Sequence, residues 1–571
     1  MLLMSGVVTD LLIPQPPAQP SAGRPARATR LVAGLAAGAL LVHSVVTARL
    51  HGDIRYVLAC LRSGEAVGVS PSETFTHRPY FYRWFVHGLD QLTAGPTVVR
   101  EAVLRAVGVM LCLAVGLALR AALRRRLPYR EADLAGAAVA LVLALAPRTD
   151  FLQPEWTAAL LSVLAVAVVL AVARPLPAAA LAAVPLGLAV MMKYSTAATA
   201  LIALLIVFAA DRVRALLLAA ATAVSGALLL GFSLWSGSRE WQWIRDMPQI
   251  NQGSLSRQGL RPGELFARSV DFLADRAVLS PVLLLLPAAL LLLLACQDDR
   301  RRRTQWAVLA AATAAVGLGA VVVQGNWFAY HAAALPVGAA AVWGLAVARW
   351  YGARGRLPLW FLVASATAAV LAPLYSTAPG ALQRSAVVWL AGLVALGAAL
   401  CDLRPARDAS GFRLPPAAAG LAGVALIAVA VWPAAPHLMD RGRVGDTNAA
   451  YLRASEAKAD AAADVRRRLP DGALVQYLAF GDEAYFIGHA SPCPYPVPTF
   501  LQRTRYLPDV RTLDSYAENA RCLEEDPPRY AVLNRGWFPP AKVDRALARR
   551  IEARYDCPPA PVTRLVVCRL R

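Results

Sequence analysis

The chain has 571 residues, of which 57% are hydrophobic and only 17% charged. Its mean hydropathy is +0.48, whereas a soluble domain runs nearer half apolar and a quarter charged, so lipid is its main solvent and a soluble enzyme is excluded. The 58 basic residues outnumber the 37 acidic ones. Most arginines stand in short strips between apolar runs, which is a membrane-topology signal and not a nucleic-acid face.

A crossing helix needs roughly 20 apolar residues to span about 30 Å of hydrocarbon. Residues 1–30 are proline-rich at the start (Pro14, Pro16, Pro17, Pro20, Pro25) and are expected to be a disordered cytoplasmic N-terminus. They lack the order of a cleaved signal peptide, so the first span is expected to remain as an anchor. Candidate spans follow near 31–50, 98–121, 133–148, 156–173, 177–192, 195–210, 215–235, 278–296, 306–324, 332–348, 358–374, 384–400 and 416–435. The fold class expected is therefore a polytopic α-helical membrane protein of about 13 transmembrane helices over 31–435.

Basic residues orient the spans. Arg24, Arg27 and Arg30 precede the first, and Arg124–Arg126, Arg212 and Arg214, Arg300–Arg303, Arg349, Arg354 and Arg356, and Arg404, Arg407 and Arg413 follow alternate spans thereafter. All fall on one side, taken as cytoplasmic. Arginine- and alanine-heavy usage suggests a bacterial plasma membrane. Two long outer loops, 50–97 and 236–277, mix Trp, Tyr and charge, which fits helices lying at the interface. Arg239, Arg245, Arg257, Arg261 and Arg268 in the second are expected to be mostly solvated, with one or two on substrate. An odd number of crossings puts residues 436–571 outside as a small α/β domain. Helices are expected over 447–468 and 542–555, and strands over 473–480, 530–534 and 564–569. Cys493, Cys522, Cys557 and Cys568 lie in it, an even number that permits disulfides, with Cys557 and Cys568 close enough in sequence to pair. Reduced thiols are the other reading.

Several polar residues stand where lipid or positive-inside bias disfavours them. Asp53 emerges just past the first span, where a desolvated carboxylate needs a polar cavity or a partner; a solvated helix cap is the bland reading. Lys193, one of only three lysines, sits at the outer end of the fifth span, where no cation is expected. It is either functional or a snorkelling interface lysine. Glu155 in Gln153-Pro154-Glu155-Trp156 could simply cap a helix N-terminus. His331 in Asn326-Trp327-Phe328-Ala329-Tyr330-His331 could be a satisfied interfacial histidine.

In order, Asp53, Arg55, Tyr56, Gly64 and Glu73 are followed by Arg78-Pro79-Tyr80-Phe81-Tyr82, and the chain here resembles the GT-C superfamily of integral-membrane glycosyltransferases. That superfamily includes protein O-mannosyltransferases, aminoarabinose transferases of lipid A and actinobacterial mannosyl- and arabinosyltransferases. Arg78–Tyr82 is similar to its Lys-Pro-Pro-Leu-Tyr segment, with one proline in place of two, and Arg55 stands where a second acid often sits. Gly187–Tyr194 is similar to its Gly-x-Ala-x-x-x-Lys segment, and Val465–Phe486 to the outer tail of bacterial members.

The resemblance implies Asp53 as the catalytic base, Lys193, Arg78 and His331 as ligands of the donor phosphate, and Arg55, Tyr56, Glu73, Tyr80, Glu155 and Tyr330 as substrate contacts. The implied partners are a polyprenyl-phosphate-linked sugar, a glycan, lipid or protein acceptor, and the bilayer itself. No cofactor is demanded, although Asp53, Glu73 and Glu155 could hold a divalent metal if they converge. A fixed cation is useful because negative charge grows on the departing phosphate, and a carboxylate can take the acceptor hydroxyl's proton. The rival reading is a polytopic transporter or lipid flippase without covalent chemistry. Against it, no repeated group of spans is visible and the charges gather at one face.

Overall fold

A computed structural model describes residues 24–252, 261–404, 415–438, 446–504, 507–536, 538–539, 543–559 and 565–571. The prolines before residue 24, together with Arg257, Arg407, Arg413, Lys542 and Arg564, lie outside the described residues. Every stretch proposed as a span holds a helix. These are α1 (Arg24–Thr47), α4 (Thr97–Leu123), α5 (Tyr129–Ala144), α6 (Pro154–Ala171), α7 (Pro175–Met192), α8 (Ala197–Ala210), α9 (Arg212–Ser236), α12 (Leu286–Ala295), α13 (Arg300–Gln324), α14 (Ala334–Arg354), α15 (Leu359–Thr377), α16 (Ser385–Leu403) and α17 (Ala417–Ala428). Among the described residues, eight of them (α1, α4, α6, α7, α9, α13, α15 and α16) are long and apolar enough to cross a membrane. Helices dominate because hydrocarbon offers no partner for a backbone N–H or C=O, so each must be satisfied within its own segment.

Two expectations need correcting. Helix α1 begins at Arg24, inside the stretch assigned to disorder, because Pro25 is tolerated in a first turn and alanine-rich sequence then propagates it. The apolar run 278–296 is not one continuous helix. The helix α11 (Pro262–Leu279) ends there, a 3-10 turn covers Pro281–Leu283, and α12 starts afresh at Leu286; Pro281 and Pro287 each lack the N–H needed to continue a helix.

Both long loops fold into helices, α2 (Gly52–Ala66) and α3 (Tyr80–Asp90) in the first and α10 (Glu240–Gln252) and α11 in the second. Two ties hold them together: Glu240 accepts from the Tyr80 amide at 3.0 Å and pairs with Arg83 at 2.7 Å, while Glu73 takes the Ser238 amide and hydroxyl at 2.7 and 2.6 Å. Within the bundle α14 lies directly on α5. A Cβ on Gly344 would come 2.9 Å from the Ala135 backbone, a distance that only glycine allows.

The basic strips do gather at one end. There Arg124 meets Asp133 at 2.7 Å, Arg349 meets Glu131 at 2.8 Å, and Arg214 donates to the Val172 carbonyl at 2.7 Å. At the other end lie α2, α3, α10, α11 and the C-terminal region.

That region starts with α18 (Asn448–Arg466) and builds a four-stranded sheet, β1 (Val475–Leu478), β2 (Tyr530–Asn534), β3 (Tyr555–Asp556) and β4 (Leu565–Leu570), in the order β1-β2-β4-β3. β1 and β2 are parallel, and β4 runs antiparallel to β2 and β3. Helices α19 (Glu483–Ile487), α20 (Thr499–Arg503), α21 (Asp514–Glu525) and α22 (Arg545–Arg554) complete it. Disulfides join Cys557 to Cys568 and Cys493 to Cys522. Val475, Tyr477 and Val532 belong to the same apolar core as the membrane helices, so the sheet is packed onto the bundle and not tethered to it.

Candidate active site

Four loops converge where the bundle meets the C-terminal region. The first is the start of α2. His51 caps this helix, its Nδ1 accepting from the Asp53 amide at 3.3 Å, which leaves the Asp53 carboxylate in the first turn and 29% exposed. The second is the segment before α3. Arg83 is buried and binds three carbonyls of this segment, Pro71 at 2.7 Å, Ser72 at 3.1 Å and Arg78 at 2.7 Å. So held, Arg78 reaches to 3.6 Å from Asp53.

The third loop leads into α6. Gln153 joins the first two, its Nε2 donating to Asp53 at 3.4 Å and its Oε1 accepting from Arg78 at 3.5 Å. Two residues on, Glu155 lies buried in the first turn of α6 and meets Lys193, which ends α7, at 2.6 Å. The fourth is the turn between α13 and α14. Here Gln324 takes a second Lys193 hydrogen bond at 2.9 Å, and His331 Nε2 lies 3.2 Å from Lys193 Nζ. The Tyr330 ring is 5.8 Å from that ammonium.

The electrostatics of the group are coupled. Burial lowers the Arg78 guanidinium, but Asp53, Tyr330, Tyr82 and Glu155 outweigh it and the net shift is upward. Burial pulls Lys193 below its ordinary value, Arg78 adding to this and Glu155 and Asp53 opposing it. His331 is pushed well below its ordinary 6.5 by burial, then by Lys193 and Arg78, so the imidazole is neutral. An ammonium can only donate, so Nε2 accepts from Lys193 and the ring proton sits on Nδ1. That Nδ1 is buried with no hydrogen-bond partner, and so are Arg78 Nε and Glu155 Oε2. Buried polar atoms are rarely left this way. The arrangement suits a polar ligand with anionic oxygens for the two donors.

The backbone marks the same place. Three non-glycine residues among those described have positive φ: His77 at 64°, Leu152 at 62° and Trp327 at 52°. They immediately precede Arg78 and Gln153 or lie four residues before His331, one in each of three site loops. Strained backbone of this kind persists only where its surroundings enforce it, and it concentrates at functional sites.

Below the group runs an apolar cavity of about 630 Å³, lined from Thr199 and Leu335 near Lys193 and His331 to Arg349 at the far end of α14. Fifteen residues of helix separate Ala334 from Arg349, about 22 Å of depth.

Six of the expected residues thus meet: Asp53, Arg78, Glu155, Lys193, Tyr330 and His331. The other four lie elsewhere. Arg55 points off the opposite side of α2 into ion pairs with Glu101 at 2.8 Å and Asp482 at 3.5 Å, because one residue step past Gly52-Asp53-Ile54 turns it inward. Tyr56 lies behind His77, its hydroxyl 2.9 Å from Thr499. Glu73 is held by Ser238 and Arg239, and Tyr80 packs on Phe81 and Phe232. Asp53, Glu73 and Glu155 therefore face three different cations, and no group of three carboxylate, histidine or cysteine side chains among the described residues is placed to hold a metal. Arg239 and Arg245 pair with Glu518 and Asp514 of the C-terminal region, and Arg268 lies over Trp327.

Gln324 and Arg83 were not singled out by sequence. A glutamine at the end of the apolar stretch Trp306–Val323 was the available signal for Gln324; for Arg83 there was none, since its work is to hold carbonyls.

No protein-family model and no curated protein matches the sequence. Solved structures do. The crystal structure of ArnT from Cupriavidus metallidurans in the apo state superposes over 95% of this chain and 98% of its own, with a TM-score of 0.56 at 15% identity. ArnT from the same organism bound to undecaprenyl phosphate superposes over 94% of this chain and 97% of its own, with a TM-score of 0.54 at 17% identity. The chain has the fold of these ArnT structures. The superposition runs through the C-terminal region as well as the helices. In this fold the four site loops come from helices separated by up to 280 residues, so the site exists only once the bundle has closed.

Proposed function

We propose that the protein is a membrane glycosyltransferase that moves a sugar from a polyprenyl-phosphate donor to an acceptor hydroxyl on the outer face of a bacterial plasma membrane. In this reading the chain crosses thirteen times, with its N-terminus cytoplasmic and residues 436–571 outside. The observation that carries it is one carboxylate, Asp53, 3.6 Å from Arg78, in a site whose Arg78 Nε and His331 Nδ1 are buried donors without a partner, beside a long apolar cavity. A polyprenyl chain fits such a cavity, and a phosphate fits such donors. That ArnT with the same fold was crystallised with undecaprenyl phosphate supports the donor class.

The acceptor oxygen attacks the anomeric carbon and gives its proton to Asp53. The bond from that carbon to the phosphate oxygen breaks, and its electron pair stays on the phosphate. Arg78, Lys193 and the His331 N–H stabilise the charge that develops there, in a site where burial makes each contact stronger than in water. Single displacement inverts the anomeric carbon. Tyr330 closes one wall over Lys193. Asp53, Glu73 and Glu155 each face their own cation, and no step is routed through a metal ion.

The test supplies membrane vesicles holding the protein with radiolabelled polyprenyl-phosphate sugars. Asp53→Asn removes the base and little volume, and transfer should fall by about 10²- to 10⁴-fold while insertion and unfolding temperature are kept. Near-normal transfer by this variant would end the role of Asp53. Label that crosses the vesicle membrane without covalent transfer would mark a transporter instead.

A further inference from the structure

A second cavity, of about 560 Å³, opens on the far side of α2 from Asp53. Arg62, which lines it, is nine residues beyond Asp53, which places it about 13 Å further along the helix and half a turn round. The cavity is walled by the C-terminal half of α2, the start of α4, the end of α18 and α19. Arg62, Arg100, Arg466 and His489 line it with the rings of Tyr485 and Phe486, and no carboxylate does among the described residues. Arg62 is neutralised by Asp90, 2.7 Å to each oxygen. Among the described residues, the Arg100 side chain is bound only to the Gly95 carbonyl, at 2.9 Å, and Arg466 has no acidic partner. Two arginines therefore bring uncompensated charge to one cleft. Pro96 caps α4 without a side-chain hydrogen bond, so the positive end of a 27-residue helix adds to them.

What lies beside the cleft identifies the ligand's other half. Val98, which lines the cleft, is 52% exposed, its chain neighbours Leu92 and Val99 are 63% and 49% exposed, and α4 continues from there as a membrane-crossing helix. A basic cleft opening beside bare apolar side chains at the head of such a helix matches an amphiphile with an anionic head.

We propose that this cleft binds the phosphate headgroup of an anionic phospholipid in the leaflet it faces. The headgroup lies between Arg100 and Arg466 and the acyl chains run along Val98 and Val99. Since Arg100 belongs to the bundle and Arg466 to the C-terminal region, the lipid clamps the two together, and it does so out of reach of Asp53.

The full chain is placed in nanodiscs of phosphatidylcholine with or without phosphatidylglycerol, and its unfolding temperature and bound phosphatidylglycerol are measured, the latter by native mass spectrometry. Phosphatidylglycerol should raise the unfolding temperature of the wild type. Arg100→Gln with Arg466→Gln should weaken its binding about 30-fold, the factor for two basic side chains near an anionic surface, whereas Arg521→Gln with Arg529→Gln should leave it unchanged. Equal stability in both lipids, or undiminished phosphatidylglycerol binding by the first double variant, would overturn the proposal. So would inorganic phosphate reproducing the whole shift in phosphatidylcholine, since no lipid would then be required.

Discussion

Arg55 and Glu101 are joined inside the protein by two contacts, Nε to Oε1 at 2.8 Å and the guanidinium to Oε2 at 3.2 Å, and Glu101 Oε2 also accepts from the Leu50 amide at 3.1 Å. Residues 50 and 55 flank Asp53. One carboxylate on α4 therefore fixes both sides of the turn that presents the proposed base, and Asp482 and Ser455 of the C-terminal region reinforce it through Arg55.

Breaking that pair from one side leaves a buried charge alone. Arg55→Met should destabilise by about 3–5 kcal/mol, and Arg55→Met with Glu101→Leu by clearly less than the single change. Chemical unfolding in detergent of the two variants checks this.

Lys193 makes three contacts, to Glu155, Gln324 and His331, at 2.6, 2.9 and 3.2 Å. Lys193→Met together with Glu155→Gln removes the pair without stranding a buried charge. The double variant should insert and fold, and its transfer rate should fall by about 10²- to 10³-fold, the usual cost of losing a preorganised contact to developing charge. A single-turnover assay with enzyme in excess over donor reads this.

Acid should weaken the fold. His77 and His331 are both held well below the ordinary 6.5, by burial first and then by neighbouring cations, Arg78 among them in each case. Below 6.5 the unfolded chain takes up protons at these rings and the native one does not, so stability is complete above 6.5 and is lost as pH falls beneath it. Each ring costs about 1.4 kcal/mol per unit of pH in that window. Unfolding temperature should therefore fall between pH 7 and pH 5, and His331→Gln should lessen the slope.

The C-terminal region should depend on its bridges. Cys493–Cys522 closes a separation of 29 residues, worth about 3–4 kcal/mol on a chain-entropy account. Alkylation before reduction should label at most Cys60, Cys112, Cys296 and Cys401, and protease should cut the Cys493→Ser, Cys522→Ser variant near that loop faster than the wild type.

Composition and hydropathy were enough for the helices, since a segment in lipid must satisfy its own backbone and announces itself by apolar length. They failed at 278–296 because hydropathy does not register that Pro281 and Pro287 interrupt the chain. Asp53, Lys193, Glu155 and His331 were legible for a related reason: polar side chains at the ends of apolar helices stand out against their surroundings. Which of them would meet was not. Gln324 is 131 residues from Lys193, and nothing local records that α13 ends beside α7. Arg55 stands two residues from Asp53 yet serves the core, because a helix turns neighbours onto different faces and only packing against Glu101 and Asp482 shows which face is dry. Sequence by itself determined which segments form the apolar helices, an outcome of each segment's own composition. Tertiary structure alone decided which polar ends meet, because that depends on contacts between helices that no single segment contains.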